Sequence, residues 1–152
     1  MQRDRFHLLR GEHGGSLVEM ALMVPMFVLL LFAAVDLGRA IYLSTEIEGA
    51  AHAAAAYGSQ NPTDTTGMTT AAQDDAPDVP NLQVGTPTYG CECSDGSSYS
   101  ANCATSPSCP SNNVVYRVNI TVSGTYRPLL AWPGFPSSIP LSSSASMRSA
   151  GS

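Results

Sequence analysis

The 152-residue sequence contains no lysine, and its seven basic residues are all arginine, dispersed among twelve acids. A protein that grips a phosphate backbone needs clustered cations to displace counterions, so nucleic-acid binding is excluded as a reading. Aromatic residues are 7% of the chain and charged residues 12%, the latter well below the roughly 25% of an average soluble domain. Gly, Pro, Ser and Thr are abundant instead. The core outside the longest apolar run must therefore be small, and small cores commonly need covalent help. One ordinary domain fits this length; two do not.

Histidine is scarce as well: there are three, the last of them His52. His52 stands alone on an Ala-rich stretch with no nucleophile nearby, and no histidine accompanies the many serines further on. No catalytic constellation results, so the expectation is a protein that is not an enzyme and carries no cofactor. A metal is not expected either. Asp74, Asp75 and Asp78 lack the spacing of a calcium loop and read as a solvated loop. Cys91, Cys93, Cys103 and Cys109 lack the paired C-x-x-C knuckles of a zinc site.

What the chain does have is an uncharged apolar run, Met20 to Val35, of 16 residues. The hydrocarbon layer takes roughly 20 helical residues, so a span needs flanking residues as well, giving a transmembrane segment of about 17–37. A helix apolar all round needs a large protein to surround it or else lipid, and this chain is too small for the first. Arg3, Arg5 and Arg10 precede the run, whereas residues 37–152 hold four Arg and eight acids. The positive-inside rule then puts the N-terminus in the cytoplasm and exports everything after Asp36. Pro25 lies inside the run; lipid-embedded helices tolerate such a residue where a soluble helix would break.

Beyond the run, Leu37, Ala40, Ile41, Ser44, Ile47, Ala51, Ala54 and Ala55 recur at three- and four-residue steps, with Asp36, Arg39, Glu46, Glu48 and His52 between them. Tyr57-Gly58-Ser59 offers a glycine stop. One helix over 15–57 is expected, lipid-embedded in its first half and amphipathic in its second. Residues 58–81 are Gly, Asn, Pro, Thr and Asp with few apolar positions, a linker by composition. Val114 to Tyr126 alternates most clearly, with Tyr116, Val118, Ile120 and Val122 on one face and Arg117, Asn119, Thr121 and Ser123 on the other. Leu82 to Tyr89 and Ile139 to Met147 alternate more weakly. The fold class is α+β, a long helix packed on a small antiparallel sheet, with 82–152 as the exported β-rich part.

On the exported, oxidising side, the four cysteines predict two disulfides. Three pairings are possible, and the single residue between Cys91 and Cys93 disfavours bonding them to each other. Each bridge should contribute about 2–4 kcal/mol. Leu129, Leu130, Trp132 and Phe135, punctuated by Pro128, Pro133 and Pro136, form the main apolar cluster outside the run; they are expected to pack in the core, with an exposed docking patch as the alternative. Asn119-Ile120-Thr121 matches a glycosylation sequon, a short pattern that arises often by chance.

Glu19 is the residue that composition does not explain. A carboxylate at the mouth of an apolar run costs about 2.5–3.5 kcal/mol at mid-bilayer, less near the interface. Just upstream stands Gly14-Gly15-Ser16-Leu17-Val18-Glu19, after an Arg-bearing leader. This resembles the processing site of the type IV pilin superfamily, in which a prepilin peptidase cuts after a glycine and leaves Glu as the fifth mature residue. Here the cut would fall between Gly14 and Gly15, making Glu19 the fifth. The new ammonium at the head of one helix could then pair with a neighbour's carboxylate, turning an unpaired acid in lipid into an assembly contact.

The wider stretch, with Glu19, the early Pro25 and the exit group Asp36-Leu37-Gly38-Arg39, resembles the TadE-like proteins of tight-adherence (Flp) pilus systems. Met20 follows Glu19 where major Flp pilins carry Tyr, and about a hundred residues follow the helix, which favours a minor pilin or pseudopilin. The resemblance implies a cleaved leader (1–14) and, as partners, the prepilin peptidase, the major pilin and other minor pilins, an inner-membrane assembly platform and membrane lipid. The four-cysteine insert lies outside the matched pattern. Two rival readings remain: a secreted disulfide-stapled domain cut at Gly38-Arg39-Ala40 by an ordinary signal peptidase, and an uncleaved membrane-anchored envelope protein.

Overall fold

A computed structural model describes residues 13–105, 107–109, 113–130, 134 and 136–149. In chain order these form α1 (His13–Gln60), α2 (Thr65–Asp75), β1 (Gln83–Val84), β2 (Thr88–Cys93), β3 (Tyr99–Ser100), a 3₁₀ turn (Cys103–Thr105), β4 (Val114–Tyr126) and β5 (Ile139–Ser149). The class is α+β. Two compact units meet within α1, one ending at Gly38 and the other beginning at Arg39.

The first unit is helix throughout its described part, and Pro25 lies inside it. Its large apolar side chains, from Leu17 to Leu37, are all exposed. α1 is long and apolar enough to cross a membrane, and none of its apolar window is buried within the protein.

In the second unit every strand pairing is antiparallel, and β4 is the centre. β5 runs along one edge of β4 from Tyr126↔Ile139 to Tyr116↔Ser149. The other edge is shared by β1 and β2. β1 pairs Val84 with Val122 and β2 pairs Thr88 with Asn119, so two residues, Thr86 and Pro87, oppose the single Ile120. That offset is a bulge, placed where proline has no amide hydrogen to offer a ladder. It shifts by one the positions that share the face of Val122 and Val118, from Val84 to Tyr89, and Tyr89 on that face is itself exposed, which explains why alternation over Leu82 to Tyr89 reads weakly.

The core lies between one face of this sheet and the second half of α1. Ile47, Ala50, Ala51, Ala54 and Ala55 are buried against Val118, Ile120, Val122 and Ala145, together with Met68 and Ala72 of α2. The apolar stripe begins later than its periodicity suggests: Leu43 and Ile47 pack on the core, whereas Leu37 and Ile41 are exposed. β4 has the bounds the alternation predicts, with Val118, Ile120 and Val122 buried.

Three expectations are corrected. First, the stretch 58–81 is not a linker. Asp64 caps α2 by accepting the Gly67 amide at 2.9 Å, and Met68 and Ala72, four residues apart, carry that helix into the core. Second, Gly58 does not stop α1, which continues to Gln60. A Cβ at Gly58 would lie 2.9 Å from Met68 Sδ and 3.2 Å from Val118 Cγ2, so glycine serves close approach rather than a left-handed cap. Third, Leu129 (56% exposed) and Leu130 (37%) are not core; Trp132, Pro133 and Phe135 of the same cluster lie outside the described residues.

Gly58→Val should overpack the junction of Met68 and Val118 and lower stability by about 1–3 kcal/mol. Urea or thermal unfolding of the detergent-solubilised protein, followed by circular dichroism, measures the change.

Candidate assembly segment and its stapled domain

Gly14 and Gly15 occupy the first turn of α1, Glu19 the next, and Pro25 follows within the same helix. The preceding residues of the expected leader, 1–12, lie outside the described residues. A Cβ at Gly15 would meet nothing within 4 Å, and the same holds for Gly38. Among the described residues, neither glycine is therefore small because something packs against it. Glu19 is exposed, and it is the one ionisable side chain between Gly15 and Val35. Four residues of helix rise about 6 Å, so the Gly15 amide nitrogen and Glu19 sit one turn apart. At the exit of the apolar run Asp36 is buried, 7% exposed, amid exposed neighbours, and both Asp36 and Arg39 have interaction partners.

The cysteines form Cys91–Cys103 and Cys93–Cys109, with Cα separations of 5.2 and 5.7 Å. Two disulfides were expected, and the Cys91–Cys93 pairing is indeed not used. Cys91 and Cys93 are two positions apart on β2, hence on one face of the sheet. Both bridges thus tie that face to the segment that follows β3.

On the opposite face of β2, between the two cysteines, is a residue that sequence reading passed over. Glu92 is buried, 2% exposed. Arg117 Nη1 donates to its Oε2 at 2.8 Å, and Arg148 Nη2 donates to its Oε1. The register explains the arrangement. Arg117 lies directly opposite Arg148 across β4 and β5, a like-charge pairing that is unfavourable by itself. Arg117 also faces Gly90 on β2, so Glu92, two residues along, is the diagonal neighbour that neutralises the pair. Arg117 Nε donates to Ser146 Oγ at 3.0 Å, fixing the guanidinium from the β5 side. The hydrogen bond from Arg117 holds the Glu92 carboxyl below its ordinary range; burial opposes this, and the two guanidinium charges reinforce it.

The turn over this cluster uses Gly96 at φ +78°, a conformation that favours glycine. A Cβ there would approach Arg148 Nη2 to 3.3 Å. Asp95 accepts the Ser97 amide at 2.9 Å, which holds its carboxyl below the usual range. A second latch joins the helices: Tyr57 Oη donates to Asp64 Oδ2 at 2.7 Å. The Gly67 amide and Tyr57 hydroxyl together keep Asp64 low, and the same bond raises Tyr57.

The sequon residue Asn119 is on β4, paired with Thr88 on one side and Ser146 on the other. His52 is exposed on α1. Among the described residues no group of three His, Cys, Asp or Glu side chains could hold a metal ion.

With this geometry in place, comparison with known proteins is informative for the helix. Residues 14–56 match the TadE-like protein family, a class associated with Tad pili. The match begins at Gly14 and takes in Glu19, Pro25, the Asp36-to-Arg39 exit group and the Ala-rich stripe; the sheet lies beyond it. No curated protein and no solved structure matches the chain.

Because the folded-state pKa of Glu92 is depressed, its contribution to stability is present above the unfolded-state pKa and is lost as pH falls through the folded value. Glu92→Gln should therefore reduce stability at neutral pH by about 1–3 kcal/mol. It should also flatten the acid limb of the stability–pH curve. Thermal melts of both proteins across the acid range test this.

Proposed function

We propose that the protein is a membrane-inserted minor pilin, or pseudopilin, of a Tad (Flp) type IV pilus system, acting by assembly rather than catalysis. Its leader, Met1 to Gly14, is removed by a prepilin peptidase. The first half of α1 anchors it in the inner membrane with the N-terminus cytoplasmic, and the sheet domain is exported. The observation that carries this reading is Glu19, a lone carboxylate on an exposed apolar helix one turn after the Gly14-Gly15 pair, where a Cβ at Gly15 would meet nothing described. The TadE-like match over 14–56 supports it.

The roles follow from the chemistry. Gly14 and Gly15 are substrate: small residues let the backbone enter a protease cleft. Glu19 meets the ammonium of a neighbouring processed subunit, where low dielectric strengthens the attraction between them. Pro25 leaves a backbone carbonyl without its helical donor, a place where α1 can stretch on leaving the bilayer. The major pilin, other minor pilins and the inner-membrane platform are the partners that such a helix would meet.

Amino-terminal sequencing of the protein from piliated cells should begin at Gly15. A start at Ile41 would favour a secreted domain, and one at Met1 an uncleaved anchor. Gly14→Ala should leave the precursor uncut on an immunoblot. Glu19→Ala should be cleaved normally yet fail to support pili, and wild-type piliation in that strain would remove the pairing role.

A further inference from the structure

We infer that the outer edge of β5 is a self-association site, which pairs antiparallel with the same edge of a second copy of this chain. Among the described residues β5 pairs only with β4. Sheets avoid unwanted edge pairing by keeping edge strands short, by charging them, or by placing proline or a bulge on them. β1 and β3 follow this rule, at two residues each. β5 has eleven residues, and from Leu141 to Met147 it carries no charge and no proline. That is about 20 Å of unguarded ladder.

The sequence of this edge selects its occupant. In antiparallel pairing a copy must meet inward residues with inward residues, because a one-residue slip would turn its apolar set to solvent. Leu141 and Met147 are partly buried on the core face, Ala145 is buried there, and Ser142, Ser144 and Ser146 are exposed on the other. A two-fold axis through Ser144 places Leu141 against the copy's Met147, Ser142 against its Ser146, and Ser143 against its Ala145. Each large apolar side chain then extends the other's core. Arg148 falls opposite Pro140, so no two cations face each other, and each Arg148 is already paired with Glu92 of its own chain. An axis through Ala145 would instead set Arg148 against Ser142 and Met147 against Ser143, leaving Leu141 without an apolar mate. The result is an isologous two-fold interface with one continuous sheet.

The inference stands on the sheet alone and does not require the pilus reading. Full-length protein carrying Ser144→Cys, in native membranes under mild oxidation, should give a covalent dimer. Residues facing each other across an antiparallel ladder have Cα atoms about 4.5–5.5 Å apart, within disulfide reach. Ser146→Cys faces Ser142 of the copy rather than itself and should crosslink at least about fivefold less, since like residues there lie outside that reach. Ser144→Lys, exposed and so compatible with the fold, should convert the detergent-solubilised wild-type dimer to a monomer by light scattering, with an unchanged melting temperature of the monomer. Equal crosslinking at the two positions, no dimer with Ser144→Cys, or a monomeric wild-type protein overturns the proposal.

Discussion

The sheet-bearing unit depends on how closely the second half of α1 can approach the sheet. The buried stripe of the helix is Ile47 with Ala50, Ala51, Ala54 and Ala55, and short side chains let a helix backbone lie near its partner. Gly58 continues the same logic one turn later, leaving room for Met68 and Val118. This closeness carries an energetic consequence. Apolar burial contributes about 25 cal/mol per Å², and alanine has little surface to bury. A core built mainly from alanine and β-branched residues is thus weakly driven, and the rest of the unit compensates by other means.

Those means are concentrated around β2. The disulfides act on one face of the strand and chiefly restrict the unfolded chain; the Glu92 cluster acts on the other face and joins β2, β4 and β5 in the folded state. Neither duplicates the helix packing, whose sheet contacts are Val118, Ile120, Val122 and Ala145. The arrangement resolves what would otherwise be a fault in the sheet, two arginines set face to face across β4 and β5. One buried carboxylate satisfies both only while it stays ionised, so this end of the sheet loses that support only in acid, below the ordinary carboxylate range.

Much of this was legible in the chain. β4 could be read to the residue because its alternation is complete, and the two disulfides because four cysteines crowd one Ser/Asn/Pro-rich stretch without the paired knuckles of a zinc site. α2 was hidden: in TTGMTTAAQDD only Met68 and Ala72 face inward, and a short helix of threonines and aspartates has the composition of a loop. The bulge at Thr86 and Pro87 hid the strand pair by shifting its phase. Glu92 was missed because its partners are 25 and 56 residues away, a distance over which sequence gives no signal until the register is known. Arg117 had been assigned to the wet face, which is where its half-exposed side chain lies; only its partner was invisible.

The TadE-like match ends at residue 56, and the demands on the chain change there too. Up to that point one helix must satisfy two different environments. Between Leu17 and Leu37 its apolar residues are exposed on every side, a pattern that suits lipid and no small soluble core. From Ile47 onward the apolar set narrows to a stripe of mostly alanine that must seat on a sheet. Each requirement restricts residue choice on its own, and their order along one helix restricts it further. The sheet faces a looser demand. Any strand that presents an apolar face of suitable shape can receive an alanine stripe, and a four-cysteine insert can be added on the far part of β2 without disturbing it. A helix that matches a family joined to a sheet that does not is in line with this difference in packing demand, the doubly constrained helix on one side and the more permissive sheet on the other.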